Sequence, residues 1–78
     1  MDVNYEYYKI FYYTAKCGNL TRAAKLLSNN QPNLTRSIKN LEAELGCPLF
    51  SRTNRGVKLT PEGEQLYRHV KIAVEQLE

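Results

Sequence analysis

The stretch SNNQPNLTRSIKNLE, residues 28–42, begins as a polar turn, passes through a proline and continues with the spacing of an amphipathic helix. From residue 34 onward, apolar residues recur at i, i+4, i+7 and i+11, which predicts one buried face. The predicted inward residues are Leu34, Ile38, Leu41 and Leu45, and the polar residues elsewhere on the helix are Gln31, Asn33, Thr35, Arg36, Lys39 and Asn40. Such a polar side either solubilises a surface or recognises a ligand, so the flanking sequence has to decide.

Local signals place the ends of this helix near residues 31 and 45. Asn30 is predicted to cap the helix by accepting a hydrogen bond from an unpaired backbone N–H. Pro32 falls in the first turn, where its missing N–H costs nothing. Gly46 is predicted to end the helix. Residues 28–30 are predicted to form a turn in which asparagine takes a positive φ at low cost.

Two further helices are predicted upstream. The first spans roughly residues 4–16 and ends at Gly18, and Asn19 caps the second, short helix. The predicted core residues are Tyr5, Tyr8, Phe11, Tyr12 and Ala15 in the first helix and Leu20, Ala23, Ala24 and Leu27 in the second. A short helix joined by a tight turn to a helix with a polar face is the helix-turn-helix arrangement.

The sequence after residue 48 changes period. Residues 49–60, LFSRTNRGVKLT, predict two short strands joined by a turn, with Arg52, Arg55 and Lys58 on or near the tip. A basic hairpin in this position is typical of a wing. A last helix is predicted from the capping residue Thr60, with Pro61 at its first position.

That last helix carries apolar residues at near-heptad spacing, namely Leu66, Val70, Ala73 and Leu77. The sequence reaches Glu78 without a helix stop signal. We therefore expect either an excised fragment or a dimerisation helix.

Length and charge narrow the class of protein. A chain of 78 residues with 42% hydrophobic residues predicts one small globular domain. Nine Lys or Arg against two Glu give residues 7–61 a net charge of +7, between mildly acidic ends. This distribution suggests a polyanion-binding face. The apolar runs are too short for a membrane span and the amino terminus lacks signal-peptide features, so a cytoplasmic protein is expected.

The sequence predicts neither a metal site nor a catalytic site. Cys17 and Cys47 lie outside any Cys-x-x-Cys spacing, and His69 is the single histidine, so free thiols are expected. No nucleophile–base pair, carboxylate pair or phosphate-binding glycine loop is present. We therefore expect a protein that is not an enzyme and needs no cofactor.

Several motifs in order resemble the amino-terminal DNA-binding domain of the LysR-type transcriptional regulators. They are T-x-A-A-x-x-L from residue 21, Q-P-x-L-[ST]-R-x-I-x-x-L-E-x-x-L-G from residue 31, L-F-x-R-x-x-R-G-V-x-L-T from residue 49 and a glycine at 63. The resemblance covers essentially the whole chain. It implies a mainly α, winged helix-turn-helix fold with a three-helix core, a short β-hairpin wing and a C-terminal linker helix.

The resemblance also implies how the chain is organised. Residues 1–60 form the winged helix-turn-helix domain, and residues 61–78 begin the linker helix that pairs two copies. The ligand-sensing effector domain of complete members is absent, so a small-molecule inducer acts only through that missing domain. Departures from the family pattern are Asn30 in place of serine, Asn33 in place of a frequent alanine and Leu20 in place of phenylalanine.

The resemblance implies roles for individual residues on double-stranded DNA with an interrupted palindromic operator. Base contacts in the major groove are expected from Gln31, Pro32, Asn33, Thr35 and Arg36. Backbone or minor-groove contacts are expected from Thr21, Arg22, Lys39, Asn40, Arg52, Arg55 and Lys58. For Arg52, an internal ion pair is an equal alternative. The homodimer is expected to form through Leu66, Val70, Ala73 and Leu77.

A different function is compatible with the same fold. A winged helix used only for protein–protein contact predicts an exposed apolar patch in place of the basic face, and no specific DNA binding.

Overall fold

The computed structural model describes residues 3–77, with side chains described from residue 5 onward. Residues 1 and 2 of the predicted domain (1–60) and residue 78 of the predicted linker helix (61–78) lie outside the described residues. In chain order the elements are α1 (Val3–Cys17), α2 (Leu20–Leu26), α3 (Gln31–Leu45), β1 (Phe50–Thr53), β2 (Gly56–Leu59) and α4 (Pro61–Leu77). This order confirms the predicted winged helix-turn-helix.

Helix α1 lies at the centre of the fold because its buried residues join two apolar clusters. Ile10 packs with the helix-turn-helix residues Ala23, Ala24, Leu34 and Ile38. The neighbouring residues on α1 pack on the other side, in a cluster formed by Phe11, Tyr12, Leu41, Leu49, Val70 and Val74. Helix α3 contributes to both clusters, so α1 holds it along most of its length.

Side-chain caps fix the helix-turn-helix, as the sequence predicts. The Asn19 side chain accepts a hydrogen bond from the Arg22 N–H at 3.0 Å, and Asn30 accepts one from the Asn33 N–H at 2.9 Å. Gly46 ends α3 in the left-handed conformation with φ of 77°. Each cap satisfies a backbone group that the helix leaves unpaired.

The wing is a two-stranded antiparallel hairpin whose turn is formed by Asn54 and Arg55, with Thr53 opposite Gly56. It is attached to the end of α1, because the Val57 N–H donates to the Gly18 carbonyl at 3.1 Å. A Cβ at Gly56 would lie 2.2 Å from that same oxygen, and Gly56 has φ of 146°. Only glycine allows the wing to approach this closely.

Helix α4 begins at its predicted cap. The Thr60 hydroxyl oxygen accepts from the Gly63 N–H at 3.0 Å and its O–H donates to the Pro48 carbonyl at 2.7 Å. A Cβ at Gly63 would lie 2.2 Å from the Leu49 carbonyl oxygen, which accounts for the glycine. Because Val74 packs with Phe11 in the core, the two predicted segments share one hydrophobic core.

Some details differ from the sequence predictions. The positive φ in the turn belongs to Ser28, at 55°, and not to an asparagine. Leu45, predicted to face inward, is 42% exposed because it lies at the end of α3, next to the Gly46 cap. In α1, Tyr5, Tyr8 and Ala15 are half-buried, while Ile10 and Thr14, absent from the predicted core, are fully buried.

Candidate nucleic-acid interface

One face of α3 gathers most of the polar residues that the sequence singles out. A shallow groove along this face is lined by Gln31, Pro32, Thr35, Arg36, Lys39 and Asn40. The opposite face is buried, with Leu34 and Leu41 fully inaccessible to solvent. The helix therefore presents amides, a hydroxyl and two cations on a surface that the core holds from behind.

Contacts to other helices fix two side chains of this face. The Gln31 amide donates from Nε2 to the Thr21 hydroxyl oxygen at 2.8 Å, which joins the first turns of α3 and α2. Asn40 donates from Nδ2 to the Tyr7 hydroxyl on α1 at 3.3 Å. Gln31 keeps its carbonyl oxygen, and Thr21 keeps its O–H, for an external partner.

Asn33 is placed differently from the other predicted base-contact residues. It is half-buried and does not line the groove. Its Nδ2 donates to the Asn29 carbonyl oxygen at 3.0 Å, and its Oδ1 accepts from Arg36 Nη2 at 2.7 Å. The amide predicted to face bases is thus bonded at both ends within the chain.

The wing lies beside the polar face of α3. A cleft of about 160 Å³ between them is lined by Thr35 and Lys39 from α3 and by Arg52 and Val57 from the wing. Arg52 is exposed, and no carboxylate within residues 3–77 forms an ion pair with it. The basic residues of α3 and of β1 therefore border one continuous surface.

The other wing cations are distributed around the hairpin. Arg55 is exposed in the turn, at the tip. Lys58 is exposed but pairs with Ser51, one position from the Arg52–Val57 pair. Because side chains alternate across a strand, Lys58 lies on the opposite face of the hairpin from Arg52. The structure thus separates Lys58 from the cleft while it keeps Arg52 there.

The first turn of α2 adds two exposed residues, Thr21 and Arg22, next to the start of α3. Neither α2 nor α3 has an acidic residue in its first turn, whereas α1 and α4 both do. The partial positive charge at the amino terminus of these two helices is therefore not offset by a carboxylate in the first turn of the same helix.

Glu42 is a positioning residue that the sequence prediction missed. Its Oε2 accepts from the N–H of Leu49 at 2.7 Å and from that of Phe50 at 3.3 Å, so α3 holds the start of the wing. A signal was present in the sequence. A carboxylate in the last turn of a helix opposes the helix dipole, which indicates that it has a compensating partner.

The predicted dimer stripe on α4 is only partly accessible. Leu77 is 69% exposed and Ala73 is exposed, whereas Leu66 is half-buried. Val70 is only 7% exposed and packs in the core, and it also lines an apolar surface groove together with Leu66 and Ala73. Along the stripe, exposure therefore increases from Val70 in the middle to Leu77 at the end. The nearby Ile72, outside the stripe, is also 62% exposed.

A tyrosine on α1 anchors the far end of α4. Tyr12 donates from its hydroxyl to Glu75 at 2.8 Å and stacks on Tyr67 at 5.5 Å between ring centroids. Burial, followed by the hydrogen bond to Glu75, raises the pKa of Tyr12 from 10.0 to about 12. At neutral pH, Tyr12 therefore stays protonated and donates to the carboxylate.

Three further features concern only the part of the chain that the structure describes, namely its thiols, its potential metal ligands and the lengths of its helices. Cys17 and Cys47 are free and half-buried. His, Cys, Asp and Glu residues in this part do not gather into groups of three or more that could hold a metal ion. No helix among the described residues combines the length and apolarity needed to cross a bilayer.

Comparison with known proteins identifies similar sequences and folds. The family described as "Bacterial regulatory helix-turn-helix protein, lysR family" matches residues 5–64. The chain is 48% identical over 61 residues to the HTH-type transcriptional regulator YofA of Bacillus subtilis (strain 168), which covers 78% of this chain and 21% of YofA. It is 49% identical over 61 residues to the HTH-type transcriptional regulator BudR of Klebsiella aerogenes, with 78% and 43% covered.

A solved structure matches over nearly the whole chain. The fold is similar to that in the crystal structure of the CbnR_DBD–DNA complex, with a TM-score of 0.87 and 35% identity over 99% of this chain and 86% of that one. By contrast, the chain spans less than half the length of the curated regulators YofA and BudR.

Proposed function

We infer that this chain, which belongs to the LysR family of bacterial regulatory helix-turn-helix proteins, binds double-stranded DNA in a sequence-specific manner. In this proposal α3 enters the major groove, and the wing over residues 49–60 contacts the backbone or the minor groove. The observation that carries the proposal is the outer face of α3, where amides and cations line one groove. The match to a DNA-binding domain solved on DNA supports it.

Each residue of that face has a chemical role in the proposal. Gln31 offers an amide suited to adenine, and Arg36 offers a fork suited to O6 and N7 of guanine. Thr35 hydrogen-bonds to either kind of base edge, and Pro32 contacts a thymine methyl group. Asn33 completes the set of recognition residues through its hydrogen bond to Arg36.

Backbone contacts fix the protein on the duplex. We assign phosphate contacts to Thr21 and Arg22 in α2 and to Lys39 and Asn40 further along α3. Arg55 at the tip of the wing is assigned to the minor groove, where narrow A·T-rich segments attract arginine. The remaining basic wing residues, Arg52 and Lys58, are assigned to the backbone, with Arg52 better placed because it shares the cleft with Lys39.

The competing function, a module for protein–protein contact alone, needs an exposed apolar patch in place of the basic face. The large exposed hydrophobic residues in the described part of the chain lie elsewhere, at Leu26, Leu45, Ile72 and Leu77. The groove on α3 contains none of them. DNA binding is therefore the function that this surface favours.

Selection of bound sequences from a random pool of DNA duplexes tests the proposal. We expect enrichment of a defined sequence with two-fold symmetry. A variant with Arg36→Ala and Lys39→Ala serves as the matched control, because both residues are exposed on α3 and their removal leaves the core intact. If the wild type enriches no sequence beyond what this variant enriches, specific DNA binding is rejected.

We further propose that residues 61–78 begin a linker helix that pairs two copies of the chain. Leu66, Ala73 and Leu77 provide the seam, and Val70 supports it from the core side. Two paired copies related by two-fold symmetry would read an interrupted palindromic operator. A small-molecule inducer would act through an effector domain outside these residues, and the whole regulator would work in the cytoplasm.

Sedimentation tests the dimer. Leu77→Glu places a charge on the exposed end of the seam and is expected to shift the chain to monomers. Gln76→Glu adds the same charge one residue away, outside the predicted stripe, and is expected to leave dimers intact. If both variants sediment alike, the proposal that α4 forms the dimer interface is wrong.

A further inference from the structure

We propose that Asn29 and Asn33 position the guanidinium of Arg36, so that the base chosen by Arg36 depends on a residue in the turn before α3. This inference rests on the proposed DNA binding and deepens it. It assigns Asn33 to recognition through Arg36 and not through a base contact of its own. It also gives a specificity role to Asn29, which the sequence prediction did not include.

The inference starts from a continuous chain of side-chain hydrogen bonds. Asn29 Oδ1 accepts from Asn33 Nδ2 at 3.0 Å and also from the backbone N–H of Asn30 at 2.8 Å. Asn33 Oδ1 in turn accepts from Arg36 Nη2 at 2.7 Å. In this series of hydrogen bonds, Asn29 is thus fixed to the backbone at the helix cap, and the exposed Arg36 stands at the other end.

Burial distinguishes the three members. Asn29 and Asn33 are half-buried, whereas Arg36 is exposed and lines the groove on α3. Asn33 does not line that groove. The position of Asn33 therefore suits a residue that supports Arg36 better than a residue that contacts a base itself.

The physical benefit is preorganisation. A free arginine side chain loses rotamer freedom when it binds, and this loss reduces the affinity and the selectivity that it can provide. Arg36 uses one N–H on Asn33 and keeps the other four for a guanine or a phosphate. An arginine held in one direction accepts guanine at one position and discriminates more strongly against other bases there.

The first experiment needs no DNA. Heteronuclear NOE measurements on arginine Nε–H groups report how mobile each guanidinium is in the free protein. We expect a restrained Arg36 in the wild type and a mobile one in Asn33→Ala and Asn29→Ala, with exposed Arg55 as the mobile reference. Asn29→Asp keeps the acceptor oxygen and should restore the restraint. An Arg36 equally mobile in all four proteins would overturn this proposed relay of hydrogen bonds from Asn29 through Asn33 to Arg36.

The second experiment measures base preference on the sequence selected by the wild type. Arg36→Ala first identifies the base pair whose preference depends on Arg36. At that pair, loss of one charge-assisted hydrogen bond in Asn33→Ala should lower discrimination by about fivefold. Asn29→Ala acts one bond further away and should lower it by about two- to threefold. Asn29→Asp should restore it, and Gln65→Ala on α4 serves as the control for removal of an exposed amide.

The outcomes separate this inference from the function beneath it. If Asn33→Ala changes preference at a base pair that Arg36→Ala leaves unaltered, Asn33 contacts that base directly and the relay is wrong. A uniform loss of affinity for all sequences also overturns the relay. In both cases wild-type selection still succeeds. A wild type that selects no sequence instead rejects the proposed function, and with it the specificity role of Asn29.

Discussion

Helices α3 and α4 have similar lengths, 15 and 17 residues, and each buries one apolar side against α1. They differ at their amino termini. Helix α4 begins with Glu62 and Glu64 in its first turn, the usual complement to the positive end of a helix dipole. Helix α3 has no acid there, although its cap and proline are equally suited to starting a helix.

This difference fits the proposal that the amino terminus of α3 faces the phosphate groups of DNA. An acidic residue in the first turn of α3 would add a little stability but would repel phosphate groups. The chain instead obtains the stability of α3 from Asn30 and from burial of Leu34 and Leu41. In α4, by contrast, large apolar side chains are exposed toward the carboxyl-terminal end, at Ile72 and Leu77.

The largest effect is expected from the buried side of α3. Leu41 is fully buried in the cluster that joins α1, α3 and α4, so Leu41→Ala should destabilise the fold by about 2–5 kcal/mol. That loss is comparable to the total stability of a domain of this size. Ile72→Ala, at a site 62% exposed, should change stability little. Urea denaturation of both variants measures the contrast, and similar losses would mean that the two helices pack differently from the structure.

Much of this architecture was predictable from local sequence. The Asn19, Asn30 and Thr60 caps each act on a backbone N–H within three residues, so short-range chemistry identifies them. The inward face of α3 follows from periodicity alone. Periodicity does not show how far along α3 other elements pack against that face. For that reason the prediction that Leu45 is buried is wrong.

The next effect concerns base recognition. On the selected DNA sequence, Arg36→Ala should lose about 1–3 kcal/mol of discrimination at one base pair, because a bidentate contact is removed. Arg68 is an exposed arginine on α4, and Arg68→Ala should leave discrimination unchanged. Affinities for the selected duplex and its single-base variants test this, with thermal unfolding as a check on the fold. Equal losses for both arginines would place recognition outside α3.

The sequence was less informative about contacts made at a distance. Gly56 and Gly63 are required by close approach to the carbonyls of Gly18 and Leu49, and no local pattern reveals such a meeting. The amide of Asn33 was predicted to face bases because its position on the helix allowed it. Its bonds to Asn29 and Arg36 depend on side-chain conformations that periodicity does not fix.

A smaller effect tests the contrast between the two amino termini directly. Gln31→Glu adds an acid to the first turn of α3 and should raise stability by about 0.3–1 kcal/mol, while it weakens DNA binding. Glu64→Gln removes an acid from α4 and should lower stability by a similar amount, with DNA affinity unchanged. Denaturation curves and binding titrations on the same samples measure both quantities. If Gln31→Glu binds DNA as well as the wild type, the first turn of α3 does not face DNA.

The smallest effect comes from the contact that fixes the end of α4 to α1. The pKa of Tyr12 is raised from 10.0 to about 12, so its protonated form contributes stability that is complete below pH 10 and is lost as pH rises toward 12. Glu75→Gln removes the carboxylate but leaves the burial, which is the largest cause of the shift. The pKa of Tyr12 should therefore fall yet stay above 10.0. The loss of stability should still begin near pH 10, but it should be smaller and complete at a lower pH. Ultraviolet titration of phenolate, with Tyr12→Phe to identify the signal, measures the shift. An unchanged titration in Glu75→Gln would show that the Tyr12–Glu75 bond does not hold α4 in solution.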